Sequence, residues 1–301
     1  MAGGPLTRIL VGTRAGLHAV EKPEDGVPEP IVALGARGEV RWALVGSGDV
    51  LRSDDGTWER IASVEGYQGR SLLPTDDDVL VGTSEAHLYR LRRDVLELDD
   101  GFEEAPGRDD WYTPWGGPPD TRSMSIDAAG TVYVNVHVGG ILRSRGPSGW
   151  DPTIDIDADI HQVLAHPDRE RLVLAAGAGG LAISEDGGDT WDVTADGLHR
   201  PYCRAVAVAG ESVLVSASTG PFTKQAAVYR RPLDGSAPFE RCAGGLPEWF
   251  PSNIDSHCLV AREDLAALGT DGGEVWVTTD AGRTWEPAAQ GIPPVTCLLL
   301  E

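Results

Sequence analysis

One phrase returns seven times along this chain, and it constrains the fold more than any other feature. An apolar run, a few small residues with glycine, and a second apolar run appear as RILVGTRAGLHAV (8–20), VRWALVGSGDVLRS (40–53) and DVLVGTSEAHLYRL (78–91). The phrase returns as TVYVNVHVGGILRS (131–144), LVLAAGAGGLAIS (172–184), SVLVSASTGPFTKQAAVYR (212–230) and LAALGTDGGEVWVTT (265–279). Each copy reads as two short strands rich in Val, Ile, Leu and Tyr joined by a hairpin turn. Most copies have a further run before them, such as RAVAVAG, and another after them, such as TWDVTADGL. Four-stranded units at a spacing of about 43 residues bury their faces by stacking around an axis, which predicts a seven-bladed, all-β propeller. The 301 residues then form one domain, 1–301.

The two ends predict how the ring closes. RILVGT opens the chain as a second strand, whereas PVTCLLLE (294–301) is a first strand with no unit of its own. The C-terminal strand is therefore expected to complete the N-terminal blade and offset the entropy of holding a circular array shut. Blade 2 is the exception to the count. Little chain separates PIVAL from VRWALVG, and a three-stranded blade is expected there.

Composition narrows the function. A net charge of −22 repels nucleic acid and the anionic face of a membrane, so neither is expected as a partner. With no basic segment ahead of an apolar run and no apolar stretch of spanning length, a soluble, cytoplasmic protein is expected. Cys203, Cys242, Cys258 and Cys297 form no CxxC pair and no metal-ligand spacing, and read as reduced structural residues.

A second, shorter pattern sits between the third and outermost strand of several units. It is ISEDGGDTWDVT (183–194), with a second good copy in TTDAGRTW (278–285), a shortened one in SDDGTW (53–58) and an eroded one in SRGPSGW (144–150). The aspartate accepts backbone N–H groups within the turn, glycine supplies positive φ, and Thr-Trp starts the next strand. In these residues the chain resembles the BNR or Asp-box repeat proteins, whose propellers include sialidases, sortilin-like receptors and photosystem assembly factors. The resemblance implies a propeller with its Asp boxes at the blade periphery, so Asp186 and Trp191 are not expected to act on a ligand. An ordinary sialidase is disfavoured: the F/Y-R-I-P motif is missing, seven units are counted where that family has six, and its Tyr-Glu pair has no counterpart here.

Aligning the units against one another places the candidate site. The innermost strands read RWALV, GRSLLP, TRSMSI, IHQVLA, CRAVAV, SHCLVA and VTCLLL, and one column carries Trp42, Arg70, Arg122, His161, Arg204, His257 and Thr296. In register these form a ring around the channel mouth. Arg70, Arg122 and Arg204 suit a carboxylate or phosphate, since a guanidinium offers a planar fork of donors. His161 and His257 are candidate general acid and base. The competing reading is a water-filled hole in which each arginine pairs with an acid such as Asp157, Asp159 or Asp255.

Loops entering the same face bring Trp111, Tyr112 and Trp115, Tyr202, and Trp249 with Phe250. Such rings stack on sugars or planar ligands, or else staple the loops. Second-strand exits add Asn135 and His137, with Glu85, His87, Ser218, Thr219 and Lys224 further out. Histidines 137, 161 and 257 with Asp157 or Asp255 have the chemistry of metal ligands, but no spacing demands it, and no metal or cofactor is expected. The leading expectation is a pocket binding, and acting as hydrolase or lyase on, a small anionic or sugar-like ligand. The ligand-binding set is Arg70, Arg122, Arg204, His137, Asn135, Trp111, Trp115, Tyr202, Asp157 and Asp255. The alternative is a non-catalytic scaffold or assembly factor that holds a protein partner on one propeller face.

Overall fold

The computed structural model describes residues 8–20, 22–23, 27–144, 146 and 149–301. They form seven four-stranded antiparallel sheets, the blades of a propeller. Six blades are built from consecutive strands. In the remaining one, blade 1, the innermost strand Val295–Leu300 comes from the far end of the chain and pairs with Ile9–Thr13, Leu299 opposite Leu10. The predicted closure is what the structure has.

The recurrent phrase is explained by how blades stack. Every second strand buries residues with no exposure at all, among them Val11, Leu44, Val81, Val134, Leu174, Leu214 and Leu268. Between adjacent blades these apolar faces meet and leave water. The glycine at or next to the end of several of these strands is required by proximity. A Cβ at Gly82 would come within 2.6 Å of Thr121 Cγ2 in the next blade, and one at Gly269 within 2.4 Å of Val295 Cγ1.

Blade 2 departs from expectation. It has four strands, because Ile31–Arg37 is an innermost strand in its own right and turns through Gly38 (φ 58°) into Val40–Val45. Trp42 therefore lies on a second strand, and Val32 occupies the ring position. The apolar run IVALGARGEVRWALV conceals two strands because one glycine-bearing turn, with no proline or asparagine, divides it.

At the periphery the two intact turns have the same closed circuit. Asp186 accepts the Thr190 amide at 2.9 Å and its hydroxyl at 2.6 Å, while the Ser184 hydroxyl donates to Asp186 (2.8 Å) and accepts from the Gly188 amide (2.7 Å). Asp280 repeats this with Thr284 (2.8 and 2.6 Å) and Thr278 (2.7 Å). Trp285 is buried, and the Trp191 indole reaches the Thr153 carbonyl of the preceding blade at 3.0 Å. In the shortened copy Asp55 accepts the Thr57 amide at 2.9 Å. The eroded copy, 144–150, falls partly outside the described residues.

Candidate functional site

The ring seen in the sequence has a backbone cause. Pairing between innermost and second strand slips past one or two residues in six blades: at Val32, Arg70, Arg122, His161, Arg204 with Ala205, and Thr296. Each is a β-bulge, which leaves a residue unpaired and re-aims its side chain. Blade 7 reaches the same end differently, since its innermost strand pairs only from Leu259 and His257 has a left-handed backbone, φ 65°. The bulges lie at the strand starts, so the ring lines one face of the propeller, called here the top.

The ring is not uniform. Arg122, Arg204, His161 and His257 gather with His137 and Asp159, on blades 4 to 7. Arg122 Nη1 donates to His137 Nδ1 at 3.0 Å, and because a guanidinium only donates, the His137 proton sits on Nε2, 3.2 Å from Asp159 Oδ1. That contact is off the hydrogen-bond axis and leaves Oδ1 unfilled. His161 Nδ1 faces the Cys203 carbonyl at 2.6 Å, so its Nε2 carries a bare lone pair, 3.6 Å from the same oxygen. Arg204 pairs with Asp255 at 3.0 Å while its Nε has no partner. Among the described residues seven buried side-chain atoms lack a hydrogen-bond partner, and four of them are here: Asn135 Oδ1, Asp159 Oδ1, His161 Nε2 and Arg204 Nε. Buried polar atoms are normally satisfied, so this concentration sets the mouth apart from the rest of the described residues.

Electrostatics follow from burial. Burial and then the Arg204 charge lower the pKa of Arg122, so the two guanidiniums destabilise each other. Burial, with Arg122 next, pushes His161 down to about 3, leaving a neutral acceptor at neutral pH. His257 is held low chiefly by burial. Its Nε2 reaches across the channel to the Arg122 carbonyl at 3.3 Å, and the Ser256 hydroxyl beside it bonds the His161 carbonyl at 2.9 Å. His257 thus spans the channel as a plug. Burial thus disfavours the charged form of both imidazoles.

The other expected residues divide. Tyr202 leans on His161 (4.8 Å between centroids, 57° between planes) with Arg204 over its face, and Trp115 leans on His137 at 5.1 Å. Asn135 is fully buried and donates to the Ile160 carbonyl at 3.1 Å. Arg70 stands apart, paired with Asp120 at 3.0 Å, and Asp157 is held by the Tyr112 hydroxyl at 3.2 Å. Trp111 is a staple: it packs on Phe102 (5.6 Å) beneath Arg108 (5.0 Å). Trp249 packs on His199, and Phe250 is buried. Asp159, expected as an acid pairing an arginine or as one of a glycosidase's carboxyl pair, is central. Its signal is positional: it precedes the innermost strand of blade 5 with φ 47°, unusual for a residue with a side chain.

Around this mouth stand exposed aromatic rings. Tyr112 (45%), Trp115 (64%) and Phe222 (95%) lie on top-face loops of blades 4 and 6 and are the exposed large aromatics among the described residues. The remaining large exposed apolar side chains, Val95, Leu98 and Val193, belong to outermost strands. A cavity of about 200 Å3 opens at the mouth beside Val32, Thr296, Asp255 and Asp271. A larger hollow, about 710 Å3, is peripheral, between blades 3 and 4. Its Asp78 carboxylate is already bound by Arg90 and Arg92, so the chemistry points to the mouth. All four cysteines are free and buried, and no helix among the described residues is long and apolar enough to cross a membrane.

Solved structures carry the same architecture. YCF48 bound to D1 peptide superposes with a TM-score of 0.60 at 14% identity, over 98% of this chain and 88% of that one. The computationally designed Ika8 protein gives 0.60 at 14% over 91% and 81%, and the Neurospora crassa Pan2 WD40 domain gives 0.58 at 13% over 88% and 80%. No protein-family profile and no curated protein sequence matches the chain. At these identities the comparisons show the fold.

Proposed function

We propose that this propeller is a non-catalytic docking protein that holds a carboxylate-bearing segment of a partner protein at its top mouth. The observation that carries the reading is the placement of Tyr112, Trp115 and Phe222 around a mouth with two mutually destabilised arginines. Exposed aromatic rings flanking a desolvated arginine are the composition of an interface centre. A carboxylate offers lone pairs to Arg204 Nε and to Arg122, and its charge relieves their repulsion. YCF48, similar in fold and bound to D1 peptide, supplies the precedent of a propeller that holds a peptide. The closed circuits at Asp186 and Asp280 support assigning the chain to the Asp-box repeat propellers.

A second reading, a small sugar acid or other anionic ligand, draws on the same unpartnered atoms, whose mix of acceptors and donors suits hydroxyl and carboxylate groups together. Photo-crosslinking separates the two. A crosslinker placed at 112, 115 or 222 should capture one stoichiometric partner, and one placed at 95, 98 or 193 should not. Capture only from the outer strands, or no capture together with thermal stabilisation by a sugar acid that Arg204→Leu abolishes, overturns the docking reading.

A further inference from the structure

We propose that His137, Asp159 and His161 form a binding site for a divalent metal ion of the zinc class, independent of whether a protein docks on the mouth. The geometry is that of a two-histidine, one-carboxylate set. Asp159 Oδ1 lies 3.2 Å from His137 Nε2 and 3.6 Å from His161 Nε2, and all three ligand atoms lie within 4.8 Å of one another. An ion with bonds of about 2.0–2.2 Å sets neighbouring ligands roughly 3.3–3.6 Å apart in a tetrahedron, close to the two separations from Asp159 Oδ1, and the two imidazole nitrogens, within 4.8 Å of each other, need only a small ring movement to close on one ion.

A second observation points the same way. The His161 side chain is 1% exposed, and its Nε2 has no partner although its lone pair faces Asp159. The lone pairs of His161 Nε2 and Asp159 Oδ1 repel at 3.6 Å, and the His137 Nε2 proton, off the axis of Oδ1, relieves this only in part, as a cation between them would do fully. The Cys203 carbonyl fixes the His161 proton on Nδ1, which is the outer-shell bond that orients a metal-ligating imidazole. The three ligands come from the second-strand exit of blade 4 and the start of blade 5, elements held by sheet pairing, so the site is assembled before any ion arrives.

Loading has a consequence for Arg122. Coordination through Nε2 moves the remaining His137 proton to Nδ1, which then no longer accepts from Arg122 Nη1. The released guanidinium and Arg204 repel a bare dication. An anion bridging the ion and the guanidiniums removes that opposition, so metal and carboxylate bind cooperatively.

The test is a cobalt titration of the chelator-stripped full chain, followed by visible absorption and calorimetry, with zinc as competitor. One saturable equivalent with the intensified spectrum of low-coordinate cobalt is expected. Asp159→Asn, chosen because asparagine tolerates a left-handed backbone, and His137→Asn should weaken binding at least about 100-fold, more than loss of an outer-shell group does. His18→Asn should bind as the parent does. Absence of a saturable site in the parent, or an Asp159→Asn variant of unchanged melting temperature that titrates like the parent, overturns the proposal. Crosslinking from position 115 by the chelator-stripped protein reads the docking function separately.

Discussion

Two aspartates of blade 5 behave in opposite ways. Asp186, in the outer turn, has both oxygens engaged by residues two to four positions away, with the Thr190 hydroxyl foremost in lowering its pKa. Asp159, at the start of the innermost strand, is also held low, by His137 first, yet that contact is poorly aligned and leaves Oδ1 incompletely satisfied. The first closes a circuit within its own turn. The second belongs to a circuit spread over blades 4 to 6 that is left open. A polar group whose partners are all local is part of the architecture, while one whose partners are incomplete after folding is available to a guest.

If the comparison holds, the periphery and the mouth should separate in stability and binding. The largest expected effect is at the periphery. Trp285 is 4% exposed, its indole donates to Gly282, and Trp285→Ala should cost about 3–5 kcal/mol in chemical denaturation, while the folded fraction keeps its partner affinity. Next comes the mouth. Arg204→Leu should weaken partner binding at least about tenfold, roughly 1.4 kcal/mol, and leave stability unchanged or raised, because it removes an unpartnered Nε and the repulsion of Arg122. A smaller effect is pH-dependent. Asp280 is pulled to about 2, chiefly by the Thr284 hydroxyl, and Asp186 is lowered too. Folded values below the ordinary carboxylate pKa of about 3.9 stabilise the fold above that pH and lose the contribution as pH falls toward 2. The Asp186→Asn, Asp280→Asn double variant should therefore melt lower at pH 7 and show a flatter acid limb in a plot of melting temperature against pH. The smallest stability effect is at Phe222, 95% exposed: Phe222→Ser should change stability by less than about 0.5 kcal/mol and still reduce partner capture.

How much of this was legible in the sequence follows the same division. The repeat made the fold readable because blade stacking imposes the same apolar-glycine-apolar phrase on each unit, and the ring was readable wherever the bulge presents a polar side chain. Val32 carries no such mark, so blade 2 lost a strand and Trp42 was misplaced. The roles of His161 and His257 were not legible, because the Cys203 carbonyl and the Arg122 carbonyl that fix them come from other blades. Trp111 and Trp115 look alike in one loop; packing on Phe102 separates the staple from the exposed ring.

The central claim is that the open circuit at the top mouth is where a partner binds. The most direct measurement is the affinity of the partner captured from position 115 for the parent and for Arg204→Leu, taken beside their melting temperatures. The account predicts an affinity loss of at least about tenfold with no loss of melting temperature. Equal affinities, or a loss that appears only with unfolding, would contradict it.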